Sequence, residues 1–168
     1  MPSPRRLASR VGCRSLAVTA CLLGVLTTGA CSDTVSIDAP RLTGAVERDC
    51  RALVDALPDR VADLDRREAT TGDGLGAAWG DPAVVLRCGV GRPEGFDAVS
   101  RCQTANGVDW YIPEDQLQGT RVDTTMTAVG RTANVEVRIP AQYLPPVNTM
   151  VDLAPALKRT LRRVRPCV

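Results

Sequence analysis

The cysteines constrain this chain more than any other residue type. There are seven. Cys13, Cys21 and Cys31 belong to an arginine-led, apolar N-terminal stretch, and Cys50, Cys88, Cys102 and Cys167 are spread over the rest. An even number of cysteines beyond an export-type leader reads as two disulfides, which can be paired in three ways. The favoured pairing joins Cys88 to Cys102, closing a short loop between neighbouring strands, and Cys50 to Cys167, tying the first helix to the chain end. Each bridge is expected to stabilise the fold by about 2–4 kcal/mol. Four thiols could instead hold zinc, but the spacings of 38, 14 and 65 contain no Cys-x-x-Cys pair.

The leader itself has three parts. Arg5, Arg6, Arg10 and Arg14 come first, with no acidic residue among them. Leu16 to Ala30 is a clean apolar run, and Thr28-Gly29-Ala30-Cys31 closes it. A basic segment, an apolar segment and small residues at a cleavage point make an export signal. Gly29 and Ala30 directly before Cys31 resemble a bacterial lipobox, although Thr28 stands where leucine is usual. The expectation is therefore a lipoprotein signal over residues 1–30, with Cys31 lipidated. The run is short of the roughly 20 apolar residues that cross a bilayer. An uncleaved single-pass anchor and a plain secreted protein are the alternatives. All three place the folded part outside the cytoplasm.

Without the leader, 138 residues remain, the usual size of one domain. Four of the 21 basic residues lie in the leader, so 17 remain against 19 acidic residues, a net charge of −2. No basic stripe for nucleic acid is expected. Trp79, Phe96, Trp110, Tyr111 and Tyr143 are too few and too scattered for a base-stacking platform. All the basic residues but Lys158 are arginine, a bias that a GC-rich genome explains. There is no histidine. That excludes Ser-His-Asp and Cys-His catalysis and removes the commonest metal ligand. No metal and no cofactor is expected.

Residues 31–41 read as a tether and 42–168 as a single domain. Val46, Cys50, Leu53, Val54 and Leu57 recur at helical spacing over Thr43 to Leu57, and Pro58 should end that helix. Val61 and Leu64 could continue it as a short turn. Thr70 to Gly76 reads as a loop and Trp79-Gly80-Asp81-Pro82 as a turn or bulge. Ala83 to Val90 is near-continuously apolar and reads as a central strand. Val108 to Ile112, Arg121 to Val129 and Ala133 to Ile139 read as further strands, the last with Val135, Val137 and Ile139 on one face. Asn148 to Val164 reads as a helix that Pro155 kinks or begins. The expected fold is α+β: a two-layer sandwich with a mostly antiparallel sheet of about four strands and two helices on one face.

Several short motifs occur together in order: Leu57-Pro58, Trp79-Gly80-Asp81-Pro82, Leu86-Arg87-Cys88-Gly89-Val90, Asn106-Gly107-Val108-Asp109-Trp110, and Val129-Gly130-Arg131 with Val135-Glu136-Val137. As a set, over roughly Cys50 to Pro140, they resemble the actinobacterial envelope family known as domain of unknown function 3515. The resemblance implies an exported, membrane-associated protein and brings no activity, ligand or catalytic residue. The resemblance also implies that Cys102 and Cys167 are less typical of the family than Cys50 and Cys88, which makes Cys50–Cys88 a competitor to the favoured pairing.

Candidate site residues are Trp79, Asp81, Arg87, Asp109, Trp110 and Arg131. Gathered in one pocket, the tryptophans would give apolar walls, the arginines would hold an anion and the aspartates would orient it. The simpler expectation is structural: both tryptophans in the core, Asp81 a turn former, and Arg87 or Arg131 a partner for Asp109. Asp81 with Asp109 is the one carboxylate pair that could do acid–base work. Ser32, Ser36 and Ser100 sit in no nucleophile motif. The functional expectation is a non-catalytic, lipid-anchored binding or scaffolding protein on the outer face of the cytoplasmic membrane. Its partner would be an envelope protein, and the alternative is a small-ligand binder.

Overall fold

The computed structural model describes residues 34–117 and 122–167. The leader and Cys31 lie outside the described residues. An extended pair, β1 (Val35–Ser36), is followed by helix α1 (Gly44–Ala56). Then come β2 (Arg60–Val61), β3 (Leu64–Arg67), β4 (Ala69–Thr70), β5 (Gly76–Trp79), β6 (Val84–Val90), β7 (Cys102–Ala105) and β8 (Val108–Tyr111). A single-turn helix α2 (Glu114–Leu117), β9 (Thr124–Val129), β10 (Asn134–Ile139) and helix α3 (Val147–Thr160) complete the chain.

The sheet has eight strands in the order β2-β3-β5-β6-β10-β9-β8-β7, not about four. All its pairings are antiparallel. Only the small β1–β4 ribbon is parallel. The sheet is two meanders laid edge to edge, β2-β3-β5-β6 and β7-β8-β9-β10, with β6 against β10 at the seam. The expected strands were found, as β6, β8, β9 and β10. The added ones are short and lack apolar alternation: β3 reads Leu-Asp-Arg-Arg, β5 Gly-Ala-Ala-Trp and β7 Cys-Gln-Thr-Ala. Val61 and Leu64 do not extend α1. They pair across a two-residue turn, Ala62-Asp63, in which both residues have positive φ, as a tight hairpin turn requires. Asp152 of α3 accepts the Ala62 N–H at 2.7 Å and holds that turn.

Helices α1 and α3 pack on each other and on the sheet. Between them lies a core of Leu53, Val84, Leu86, Trp110, Val137, Leu153 and Leu157, all fully buried. Pro155 sits inside α3 rather than at its start. It faces outward, where the Val151 carbonyl can lose its helical partner without being buried.

Arg87 and Gly89 point to the face opposite Leu86 and Cys88. Across that face runs the segment expected to be a bare tether. Its Val35 amide donates to Glu68 O and its Ile37 amide to Thr70 O, at 2.9 and 2.8 Å. Ile37 is buried. A side chain at Gly76 would strike the Leu86 carbonyl and crowd Ile37, and one at Gly89, where φ is +78, would strike Leu42, so both positions suit glycine.

The disulfides are Cys50–Cys88 and Cys102–Cys167, so the favoured pairing is wrong. The strand order explains why. Cys88 is on β6 and Cys102 on β7, four strand spacings apart, or roughly 19 Å. A disulfide needs Cα atoms within about 7 Å. Cys88 instead faces Cys50 on α1, with Cα atoms 5.7 Å apart.

Candidate functional site

The six nominated residues do not form one pocket. Trp79, at the end of β5, is fully buried, and its indole N–H donates to Pro58 O at 3.0 Å. The Arg66 guanidinium lies 5.9 Å from its ring centroid. Trp110, on β8 between Gln103 and Ala128, is also fully buried. Its indole N–H has no partner among the described residues. Both tryptophans are core, as the structural expectation had it.

Asp81 is an exposed turn residue whose carboxylate comes within 3.8 Å of Arg67. Its carbonyl accepts the Tyr143 hydroxyl at 2.9 Å. Asp109 lies buried on β8, at the other end of the strand order. Two strands separate β6 from β8, a gap of roughly 14 Å, so the anticipated Asp81–Asp109 pair does not form. Arg87 pairs not with Asp109 but with its cross-strand neighbour Glu136. Nε and Nη2 both donate to Glu136 Oε1, at 3.0 and 2.6 Å. Its Nη1 donates to Asp38 O at 2.8 Å and clamps the N-terminal segment to the sheet.

Asp109 and Arg131 do come close, beneath the chain's last residues. Arg131 Nη1 donates to Leu161 O at 2.8 Å and Nη2 to Gly107 O at 2.9 Å. Burial holds this guanidinium below its ordinary pKa; the nearby Arg163 adds to that, and Asp109 opposes it. Asp109 accepts from Thr104 Oγ1 at 2.9 Å, from the Cys167 amide at 3.2 Å and from Arg163 at 3.3 Å. The strap over them, Arg162 to Cys167, is held by backbone bonds. Val164 and Arg165 amides both donate to Gly130 O, and the Thr132 amide donates to Arg162 O. Gly130 has φ +74, and a side chain there would strike the Arg165 carbonyl. Asp109 and Arg131 therefore fasten the strap and leave little for a ligand.

The family model described as "Protein of unknown function (DUF3515)" matches residues 14–165. The chain belongs to the DUF3515 family. No curated protein and no solved structure matches it.

In this DUF3515 protein one sizeable recess lies where sequence reasoning named nothing. The loop between β6 and β7 folds back so that Phe96 meets Tyr111, ring centroids 5.0 Å apart, and Arg92 stacks 5.3 Å over Phe96. Ser100 closes the loop by bonding the Asp97 carboxylate at 2.8 Å. The Ser100 hydroxyl and the Val99 amide hold that carboxyl below the ordinary carboxylate range. Beside it is a groove of about 550 Å³ lined by Val99, Arg101, Tyr111, Glu114 and Leu117. Val99 is 83% exposed. The one signal for this place was aromatic scarcity: Phe96 and Tyr111 are two of only five aromatics, and Phe96 falls outside every expected element. Among the described residues, no group of three or more acidic or cysteine side chains is placed to hold a metal ion.

Proposed function

We propose that this DUF3515 protein is an exported lipoprotein of an actinobacterial-type cell envelope. Cys31 holds it at the outer face of the cytoplasmic membrane, and it serves there as a non-catalytic binding or scaffolding component. The observation that carries the exported reading is the pair of disulfides, one buried against α1 and one fastening the strap. Such bridges persist in oxidising compartments and are rare in reducing ones. The leader before Cys31 supplies the route. The non-catalytic reading is supported by how the distinctive side chains are used: Asp109 already accepts three donors, and Arg131 serves two carbonyls. The groove beside Phe96 and Tyr111, with Val99 and Leu117 turned outward, is the surface left for a partner.

The test is Cys31→Ala in the native host, followed by membrane fractionation and intact-mass measurement. The variant should leave the membrane fraction and lose the added mass of the acyl chains, since bacterial-type anchoring needs more than one chain. Equal membrane retention of variant and wild type, with no difference in added mass, rejects the lipid anchor.

A further inference from the structure

The segment before α1 is part of the folded domain. The Val35 and Ile37 amides donate to Glu68 O and Thr70 O, and Ile37 is only 4% exposed. Arg87 Nη1 clamps Asp38 O, Arg41 pairs with Asp73, and Leu42 lies against Gly89 of β6. The seat therefore extends from Val35 to Leu42.

That seat sets how far the domain can move from an attachment point at Cys31. Four residue steps join Cys31 to Val35, a reach of about 14 Å at full extension. With the seat empty, the free chain would run to Gly44 at the start of α1 and could reach about 45 Å. A domain of this length is roughly 35–40 Å across. The short reach is well under that width, and the long one exceeds it. A seated domain cannot turn over on its anchor, whereas an unseated one can.

The place where the chain enters is also fixed. Val35 lies beside Glu68, directly after β3, the second strand of the sheet. The segment crosses the face of β6 that carries Arg87, and the helices lie on the other face, where Cys88 is bonded to α1 and α1 packs on α3. Lys158, near the end of α3, donates to Asn106 O in the turn between β7 and β8, the last two strands. The thickness of the sheet and at least five strand spacings, roughly 24 Å, therefore separate Lys158 from the entry point.

We propose that the seated segment Val35–Leu42 is a short mount that holds the domain to the lipid surface by its β3–β4 side and turns the Lys158 end of α3 away from it. The inference rests on the lipid-anchored reading, to which it adds a distance and a facing. Attachment sets the facing, and charge does not.

The test uses the full chain purified from membranes with its acyl chains and reconstituted into phosphatidylcholine vesicles that contain a nitroxide-headgroup lipid. One fluorophore is placed at Glu68→Cys or at Lys158→Cys, both exposed positions. Quenching should be several-fold stronger at position 68 than at position 158. Raised salt should leave that ratio unchanged, because screening acts on charge and not on attachment. About nine flexible Gly and Ser residues inserted after Asp33 should bring the two positions close to equal, and this insert precedes β1 and leaves the domain intact. Ile37→Asp, which puts a charge into the buried seat, should lower the ratio in the same direction. Equal quenching at both positions, a ratio that salt abolishes, or a lengthened tether that keeps the original ratio overturns the proposal and leaves the anchor standing. Absence of acyl mass on the purified chain rejects the anchor reading, and this proposal with it.

Discussion

Asp109 accepts the backbone N–H of Cys167, at 3.2 Å, from a position that is almost completely buried. One carboxylate thus secures the end of the strap, a cationic side chain and the Thr104 hydroxyl at once. Asp109→Ala should destabilise the domain by about 1–3 kcal/mol, because it removes three hydrogen bonds that converge on one buried carboxylate. Urea titration should record that loss, and amide exchange should show it concentrated in Arg162 to Cys167. Uniform exchange across the sheet would mean that Asp109 does not hold the strap.

The pH dependence has a traceable component at Asp123. The Ala141 amide donates to its carboxylate at 3.1 Å and Arg138 at 2.9 Å. Those bonds hold its pKa below the ordinary value of 3.8. A carboxyl depressed in the folded state adds stability above the unfolded value and loses it as pH falls through the folded one. Wild type should therefore exceed Asp123→Asn in melting temperature by a constant margin above about pH 5. The margin should shrink as pH falls below 3.8. A margin that grows on acidification would contradict the assignment.

Trp110 separates burial from hydrogen bonding. Trp110→Ala should cost about 3–5 kcal/mol, which lowers the melting temperature of a domain this size by about 10–20 °C. Trp110→Phe should cost well under half of that, because the deleted N–H has no partner and its desolvation is a burden to the native state. Trp79→Phe should cost more than Trp110→Phe, since it abandons the bond to Pro58. A calorimetric series of the three variants checks the order.

The two bridges differ in access. Cys50 and Cys88 are fully buried, whereas Cys102 and Cys167 are partly open. Thiol labelling of denatured, unreduced protein should find no free thiol among the four. Brief reduction without denaturant should expose Cys102 and Cys167 first, and mass spectrometry after alkylation identifies them.

Legibility followed periodicity. The helical spacing of Val46, Cys50, Leu53 and Leu57 located α1 to within a residue at each end. The alternation of Val135, Val137 and Ile139 located β10. Strand β3 was invisible because its polar residues are satisfied by distant parts of the chain. Arg66 reaches the Val54 and Leu57 carbonyls and covers Trp79, none of which its own neighbours reveal. The disulfides needed strand order, which cysteine spacing does not contain. The same holds for the nominated site. Residue type marked Asp109 and Arg131 as unusual, but only the path of Arg162 to Cys167 over Gly130 shows that they fasten a chain end. The loop bearing Phe96 has no period at all, so its fold against Tyr111 could not be read in advance.

The two-meander sheet has a consequence for how the chain could come apart. Cys50–Cys88 lies wholly within the first meander and its helix, and Cys102–Cys167 wholly within the second meander and its strap. Neither bridge crosses the seam where β6 meets β10. A single proteolytic cut in the loop between Gly91 and Arg101 would leave two fragments with no covalent link, each retaining its own disulfide. What keeps such halves paired is the β6–β10 ladder, the contact of α1 with α3 and the seating of α3 on β2, where Asp152 holds the Ala62 amide. The molecule is therefore laid out as a natural split protein, whose halves, produced separately, should reassociate through the β6–β10 pair and the faces that α3 shares with α1 and β2.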